Sequence, residues 1–276
     1  MRYTIMMSYT VARHGPAVFD LDRMLRLAAE LTMAGVDFIT LHGFAPEELK
    51  KRCDGYGLPI VCYTIPAGGL ISPNREEVER TRETLQRGLE EAAVLGAPLI
   101  MAVTPGRSDR TRDESRRRYV EGLAPVVEAA RRLAIRVTVE NFPGKHSPFV
   151  TASDYLAALA QLPDLGLTFD SGNAAGGEDP AASFQRVAGR VWHAHFKDWV
   201  VLTASEPGGH EMLNGLRYKP ALIGEGVINH RAVLEAMAKA NYTGGINIEY
   251  EGPQDPYEAI RKAVTYLRGL EAELDL

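Results

Sequence analysis

The chain has 276 residues, 45% hydrophobic and 24% charged, with 31 Lys and Arg against 36 Asp and Glu for a net charge of −5. These are ordinary globular averages, which exclude a disordered, collagen-like or coiled-coil chain, and the acidic balance argues against gripping nucleic acid by bulk charge. Two cysteines, Cys53 and Cys62, make no disulfide framework. No apolar run approaches the ~18 residues of a membrane span, and Met1–Thr10 lacks a signal-peptide pattern, so a cytoplasmic location and no membrane partner are expected. At this length one α/β barrel domain, residues 1–276, is expected rather than two domains.

In chain order, a β-like run at Tyr3–Tyr9 precedes a helical pattern at Asp20–Met33, where Leu21, Met24, Leu25, Ala28 and Leu31 recur at helical spacing before Gly35 stops it. A second β-like run, Val36–Leu41, leads to a short helical segment at Pro46–Cys53. The third, Leu58–Ile65, is followed by a long helix expected to be capped by Ser72, with Pro73 at its first position, and to run to Gly96. Pro98–Val103 and the basic helix Asp109–Leu133 come next, then Ile135–Glu140 with Ser153–Leu162, and Leu165–Asp170 with Pro180–Arg190. Val191–Phe196 precedes a long Gly- and Pro-bearing connection, Lys197 to Asn229, and the helix Asn229–Asn241. Gly245–Glu249 and the helix Pro256–Leu270 close the series. Eight short runs rich in β-branched and aromatic residues, alternating with helices, predict a parallel sheet closed as a (β/α)8 TIM barrel. The runner-up is an open doubly wound sheet, and the lack of Gly-x-Gly-x-x-Gly after the first run lowers its dinucleotide-binding form.

Catalytic groups of such barrels sit at the carboxyl ends of strands. Four consecutive runs end in metal-competent side chains: Glu140, Asp170, His193/His195 and Glu249. Side chains alternate faces along a strand. Glu140 shares a face with Thr138, Asp170 with Gly166 and Thr168, Glu249 with Gly245 and Asn247, and His195 with His193 and Lys197. The opposite faces carry Ile135, Val137 and Val139; Leu165, Leu167 and Phe169; Ile246 and Ile248; and Trp192, Ala194 and Phe196. The apolar face suits a helical layer, so the ionisable groups converge inside the barrel. Three carboxylates and one imidazole packed together repel one another and raise their pKa values unless a cation intervenes. An oxygen-rich set with one nitrogen suits Mn²⁺, Mg²⁺ or Co²⁺, with Zn²⁺ admissible. The plainer alternative is four separate polar strand ends bonded to loop backbone.

Together the motifs Val139-Glu140-Asn141, Phe169-Asp170-Ser171-Gly172-Asn173, His193-Ala194-His195-Phe196-Lys197-Asp198, Gly224-Glu225-Gly226 and Ile248-Glu249-Tyr250-Glu251-Gly252 resemble the xylose-isomerase-like barrel superfamily of sugar epimerases, isomerases and inosose dehydratases. The resemblance covers essentially the whole chain. It implies one divalent metal, Mn²⁺ or Mg²⁺ favoured, held by Glu140, Asp170, His195 and Glu249, with His193 a group behind the ligands or a substrate contact. It also implies a small-molecule carbohydrate as substrate, and family members are often dimers or tetramers, so a homo-oligomer is an expectation. The implied chemistry is Lewis-acid stabilisation of an enediolate, with Glu140 and Glu249 exchanging a proton beside the carbonyl. Lys197 is assigned to the substrate oxygen or, alternatively, to a salt bridge with Asp198.

Further substrate contacts are expected from His146, six residues after Glu140 where sugar epimerases of this kind often carry Glu, and from Asn173, where many members carry His. His42, on the Phe38 and Thr40 face, Arg217 in the long seventh connection, and less so His14 and Lys219, are weaker candidates. Cys62 reads as a buried thiol, and Trp192 and Trp199 as core or pocket wall. The leading function is a metal-dependent sugar or sugar phosphate isomerase or epimerase. A dehydratase of the inosose or dehydroshikimate kind is the alternative on the same site. A nuclease of the endonuclease IV type shares the barrel but uses three metals and extra histidines. Here Asn173 replaces one of those histidines, Gly208 stands where the Asp partner of His210 belongs, and the chain is acidic. A catalytically silent binding barrel has no physical need for four converging ionisable groups.

Overall fold

The computed structural model of the protein describes residues 1–7 and 19–276. The strands β1 (Arg2–Met6), β2 (Gly35–Phe38), β3 (Ile60–Pro66), β4 (Leu99–Val103), β5 (Arg136–Glu140), β6 (Gly166–Asp170), β7 (Val191–Phe196) and β11 (Gly245–Ile248) form a closed parallel barrel. β1 closes it by pairing with both β2 and β11. This is the expected (β/α)8 architecture. The end of the first expected run, and His14, lie outside the described residues.

The helices are α1 (Leu21–Glu30), α2 (Pro46–Gly55), α3 (Arg75–Leu95), α4 (Arg112–Arg132), α5 (Ala152–Leu159), the single turn α6 (Ser171–Ala174), α7 (Pro180–Val187), α8 (His230–Lys239) and α9 (Pro256–Leu274). Their apolar stripes meet the outward faces of the strands. Val36, Phe38, Ile100, Val137, Val139, Phe169, Ala194, Phe196, Ile246 and Ile248 are all buried in that one continuous layer. The alternation of each strand therefore does the sorting: aliphatic side chains go outward to the helices, polar ones inward.

Three details differ from the sequence reading. The cap of α3 is Asn74, whose carbonyl accepts from the Glu76 amide at 2.9 Å, not Ser72. Pro73 holds Ser72 extended (φ −65°, ψ 147°), which moves the helix start two residues on. The long connection after β7 contains its own antiparallel sheet, β8 (Asp198–Val201), β9 (His210–Glu211) and β10 (Arg217–Ala221), in the order β8-β10-β9.

The third difference concerns Trp192, expected on the helix-facing side with Ala194 and Phe196. The β6–β7 register shifts there, so that Leu167 pairs with Val191 and Thr168 with His193, leaving Trp192 as the extra residue of a bulge. Its ring turns inward onto the cluster of Cys62, Leu99 and Met101. A Cβ at residue 166 would lie 2.0 Å from that ring, so Gly166 is what admits it. The Arg136 guanidinium lies over the indole at 5.1 Å. Trp192 thus fills the barrel at the amino ends of its strands.

Candidate active site and metal centre

The carboxyl end of β5 is tied to that of β6. Asn141 donates to the Asp170 carbonyl and accepts from the Asp170 amide, both at 2.7 Å, which locks Glu140 and Asp170 side by side. Asp170 Oδ1 accepts from the Asn173 amide at 2.7 Å and so starts α6. Only Oδ2 is left for the barrel interior. His195 pairs in register with both Asp170 and Asn247, and the Glu249 amide donates to the Phe196 carbonyl at 3.0 Å. Backbone geometry therefore brings the four strand ends to one point.

Glu140, Asp170, His195 and Glu249 each present a ligand-type atom, all within 4.8 Å of one another, and all four residues are buried. His195 Nδ1 lies 2.8 Å from Glu140 Oε1 and 3.3 Å from Glu249 Oε2. The Lys197 ammonium lies 2.9 Å from Glu249 Oε2, 3.2 Å from Asp170 Oδ2 and 3.3 Å from Glu251 Oε1. It therefore faces the cluster, whereas Asp198 accepts from the Trp199, Gly224, Gly226 and Ile228 amides instead.

Burial dominates the electrostatics. It raises the Asp170 carboxyl well above the usual range, and the neighbouring Glu140 and Glu249 charges add to it despite Lys197. Burial also works against the His195 imidazolium, but Glu140 and Glu249 outweigh it and lift its pKa well above normal. For Glu249 burial is overcome by Lys197 and His195, which hold it at about 2. Burial likewise opposes the Lys197 charge, yet Asp170, Glu249 and Glu251 keep its pKa high.

This donor set fits a divalent cation. It offers three carboxylates and an imidazole at one point, and Asp170 Oδ2 and Glu249 Oε2 are buried acceptors that take no well-angled hydrogen bond. An ion between them would answer both the repulsion and the unmet acceptors.

Of the other candidates, Asn173 is fully buried beside Asp170, and neither polar atom of its amide is hydrogen-bonded. His193 Nε2 lies 2.6 Å from Asp37 Oδ2, and its ring meets that of His195 edge-on at 5.3 Å. His146 is half-buried in the loop after β5, with its backbone carbonyl against Gly106, and is not among the four converging residues. His42 lies in the turn after β2, where it stacks on Phe19 at 5.0 Å and meets Phe38 edge-on at 5.7 Å. Arg217, in β10, donates to the carbonyls of Gly208, Thr203 and Ala204 at 3.0, 2.8 and 3.3 Å, and so pins its own loop. Burial pushes the Cys62 thiol far up, which leaves it no thiolate character.

Two residues escaped the sequence reading. Asp37 faces inward from β2 and accepts from Asn247 Nδ2 at 2.6 Å as well as meeting His193. A charged residue between Val36 and Phe38 in a buried strand was the available signal. Glu251 is 6% exposed and belongs to the quoted β11 motif, but its partner Lys197 is 54 residues away in sequence.

A closed parallel barrel with a buried, oxygen-rich ionisable cluster at the carboxyl ends of its strands defines a TIM barrel with a candidate divalent-metal centre. A family model for the xylose isomerase-like TIM barrel matches residues 25–270, and the chain belongs to that family. It is 25% identical over 281 residues to an inosose dehydratase of Lacticaseibacillus casei, covering 89% of this chain and 92% of that protein. Its structure resembles that of L-ribulose 3-epimerase, with TM-score 0.78 at 17% identity, covering 99% of this chain and 97% of that one. It also resembles the IOLI protein with a binding zinc atom, with TM-score 0.80 at 13% identity and the same coverage of 99% and 97%. At these identities the two solved structures speak for the fold alone. No described helix is long and apolar enough to cross a membrane.

Proposed function

We propose that the protein is a divalent-metal-dependent enzyme that moves a proton beside the carbonyl of a small polyhydroxylated carbohydrate, as an isomerase or epimerase. The observation that carries this reading is that Glu140 and Glu249, from different strands, converge on one imidazole nitrogen within a buried site. Glu140, Asp170, His195 and Glu249 would hold the ion, with Mn²⁺ or Mg²⁺ ahead of Co²⁺ or Zn²⁺ on the oxygen-rich set. When bound it supplies Lewis-acid polarisation of a substrate carbonyl and the adjacent hydroxyl.

The chain's own groups do the rest. Glu249 and Glu140, which approach the same His195 nitrogen from different strands, can take and return the proton. Lys197 donates toward the same substrate oxygens, and the unbonded Asn173 amide can take a hydroxyl. The buried Asn141 tie keeps Glu140 and Asp170 in place and needs no rearrangement when substrate arrives.

A second reading, dehydration, is favoured by one observation. The Lys197 ammonium lies 2.9 Å from Glu249 and 3.3 Å from Glu251, so that from the Glu251 side it can still assist departure of a hydroxyl next to the abstracted proton. The inosose dehydratase likeness supports that reading too. Incubation with Mn²⁺ and a panel of ketoses and inososes in D₂O separates the two. An isomeric product made about one mass unit heavier by one carbon-bound deuterium is expected for proton return, and loss of water for dehydration. Full turnover in Glu140→Gln or Glu249→Gln would remove the two-carboxylate chemistry common to both.

A further inference from the structure

We propose that Lys197 is the built-in counter-cation of the metal site, its ammonium holding the ligand carboxylates together in the metal-free protein and withdrawing to Glu251 when a divalent ion arrives. The inference rests on the metal-binding reading above.

Among the described residues, three carboxylate oxygens surround the Lys197 ammonium. Two belong to the converging set, Glu249 Oε2 at 2.9 Å and Asp170 Oδ2 at 3.2 Å. The third, Glu251 Oε1 at 3.3 Å, belongs to a carboxylate outside that set. One ammonium thus bridges two seats. An ion held by Asp170 and Glu249 and an ammonium on the same oxygens repel each other strongly in a buried site. Glu251 offers the ammonium an alternative that keeps it paired, which a buried charge requires.

The stem of Lys197 is built for a small swing of its head. A Cβ at residue 172 would lie 2.5 Å from Lys197 Cγ, so Gly172 is what lets the stem pass along α6. The buried Trp199 lies beside the same glycine, and Nζ lies 5.8 Å from its ring centre. All three carboxylate oxygens lie within 3.3 Å of Nζ, so only a small turn of the head is needed to move the ammonium from the ligand pair to Glu251. Arginine would not serve, because its planar fork binds one carboxylate in a fixed geometry.

The test uses the metal-stripped full-length protein, thermal melting and calorimetric titration with Mn²⁺. Lys197→Met is expected to lower the melting temperature of the stripped protein by on the order of 10 °C. It is expected to bind Mn²⁺ more than about tenfold tighter, and saturating Mn²⁺ should restore most of the lost stability. Glu251→Gln is expected to weaken Mn²⁺ binding about tenfold, because the ammonium then stays on the ligands. The double variant should bind as Lys197→Met does, since Glu251 acts through the lysine. Unchanged affinity in either single variant, or a further loss in the double, overturns the proposal. If Lys197→Met does not fold, Glu251→Gln alone decides it. Absence of Mn²⁺ uptake by the unaltered chain and every variant removes the metal reading and the proposal with it. Equal uptake by all of them removes the proposal only.

Discussion

The two halves of the barrel share one hydrogen-bonding scheme and one kind of outward face, yet their interiors differ. From β1, β3 and β4 the buried inward residues include Thr4, Met6, Cys62, Thr64, Leu99 and Met101, all uncharged. From β5, β6, β7 and the end of β11 they include Thr138, Thr168 and Asn247, but also the ionisable Glu140, Asp170, His193, His195 and Glu249. The outward faces of both halves pack into the same aliphatic layer. Fold and function are therefore written on opposite parities of the same strands. Asp37 is the exception in the quiet half, and it is bonded to His193 and Asn247 of the other half.

The comparison breaks most visibly at the strand ends. Glu140→Gln and Glu249→Gln should each lower turnover by roughly 10²–10⁴-fold in steady-state assays, while Met101→Leu, a volume-conserving change in the quiet half, should leave it near the unaltered rate. Asp37→Ala removes the carboxylate that Thr4 Oγ1, His193 Nε2 and Asn247 Nδ2 share. It should cost about 2–4 kcal/mol in denaturant unfolding while Mn²⁺ binding persists. Equal loss of metal would place Asp37 among the ligands.

Asp198 sharpens the account at the loop after β7. Burial works against its charge, but the His230 interaction and the amides of Ile228 and Gly224 win and hold its pKa below the usual value. A carboxylate depressed in the folded state contributes stability that is present above the unfolded pKa of about 3.9 and is lost as pH falls through the folded value. Asp198→Asn should cost about 1–3 kcal/mol at pH 7, and its deficit relative to the unaltered protein should shrink in melts taken below pH ~4. The smallest expected effect is Gly166→Ala. The added methyl meets the Trp192 indole, and unfolding should show about 1–3 kcal/mol of overpacking with turnover retained, since the contact is at the far end of the barrel.

Much of this arrangement is legible in the sequence because parity is local. Val137, Val139 and Glu140 report their own faces, and so do Leu167, Phe169 and Asp170, which is why the eight strands and their inward ionisable ends can be read from spacing, whereas the choice of His195 over His193 comes from the family resemblance. What escapes is set by partners distant in the chain. Trp192 turns inward because of a register shift against β6, which no pattern within β7 announces. Arg217 was an anion-holding candidate until the three-stranded sheet brought loop carbonyls to it. Glu251 looked like an ordinary acidic residue after a strand, and its meaning comes from Lys197 on a neighbouring strand. His42 was read on the face of Phe38, and its ring meets Phe38 edge-on, while its stacking on Phe19 brings in a residue distant in the chain.

The central claim is that the four ionisable strand ends form one divalent-metal site. Its most direct test is the metal content of the purified protein by mass spectrometry, before and after Mn²⁺ addition, beside an Asp170→Ala variant of confirmed fold. The account predicts about one tightly held divalent ion per chain, lost in the variant. No retained ion in either protein after Mn²⁺ addition would contradict it, and so would equal retention in both.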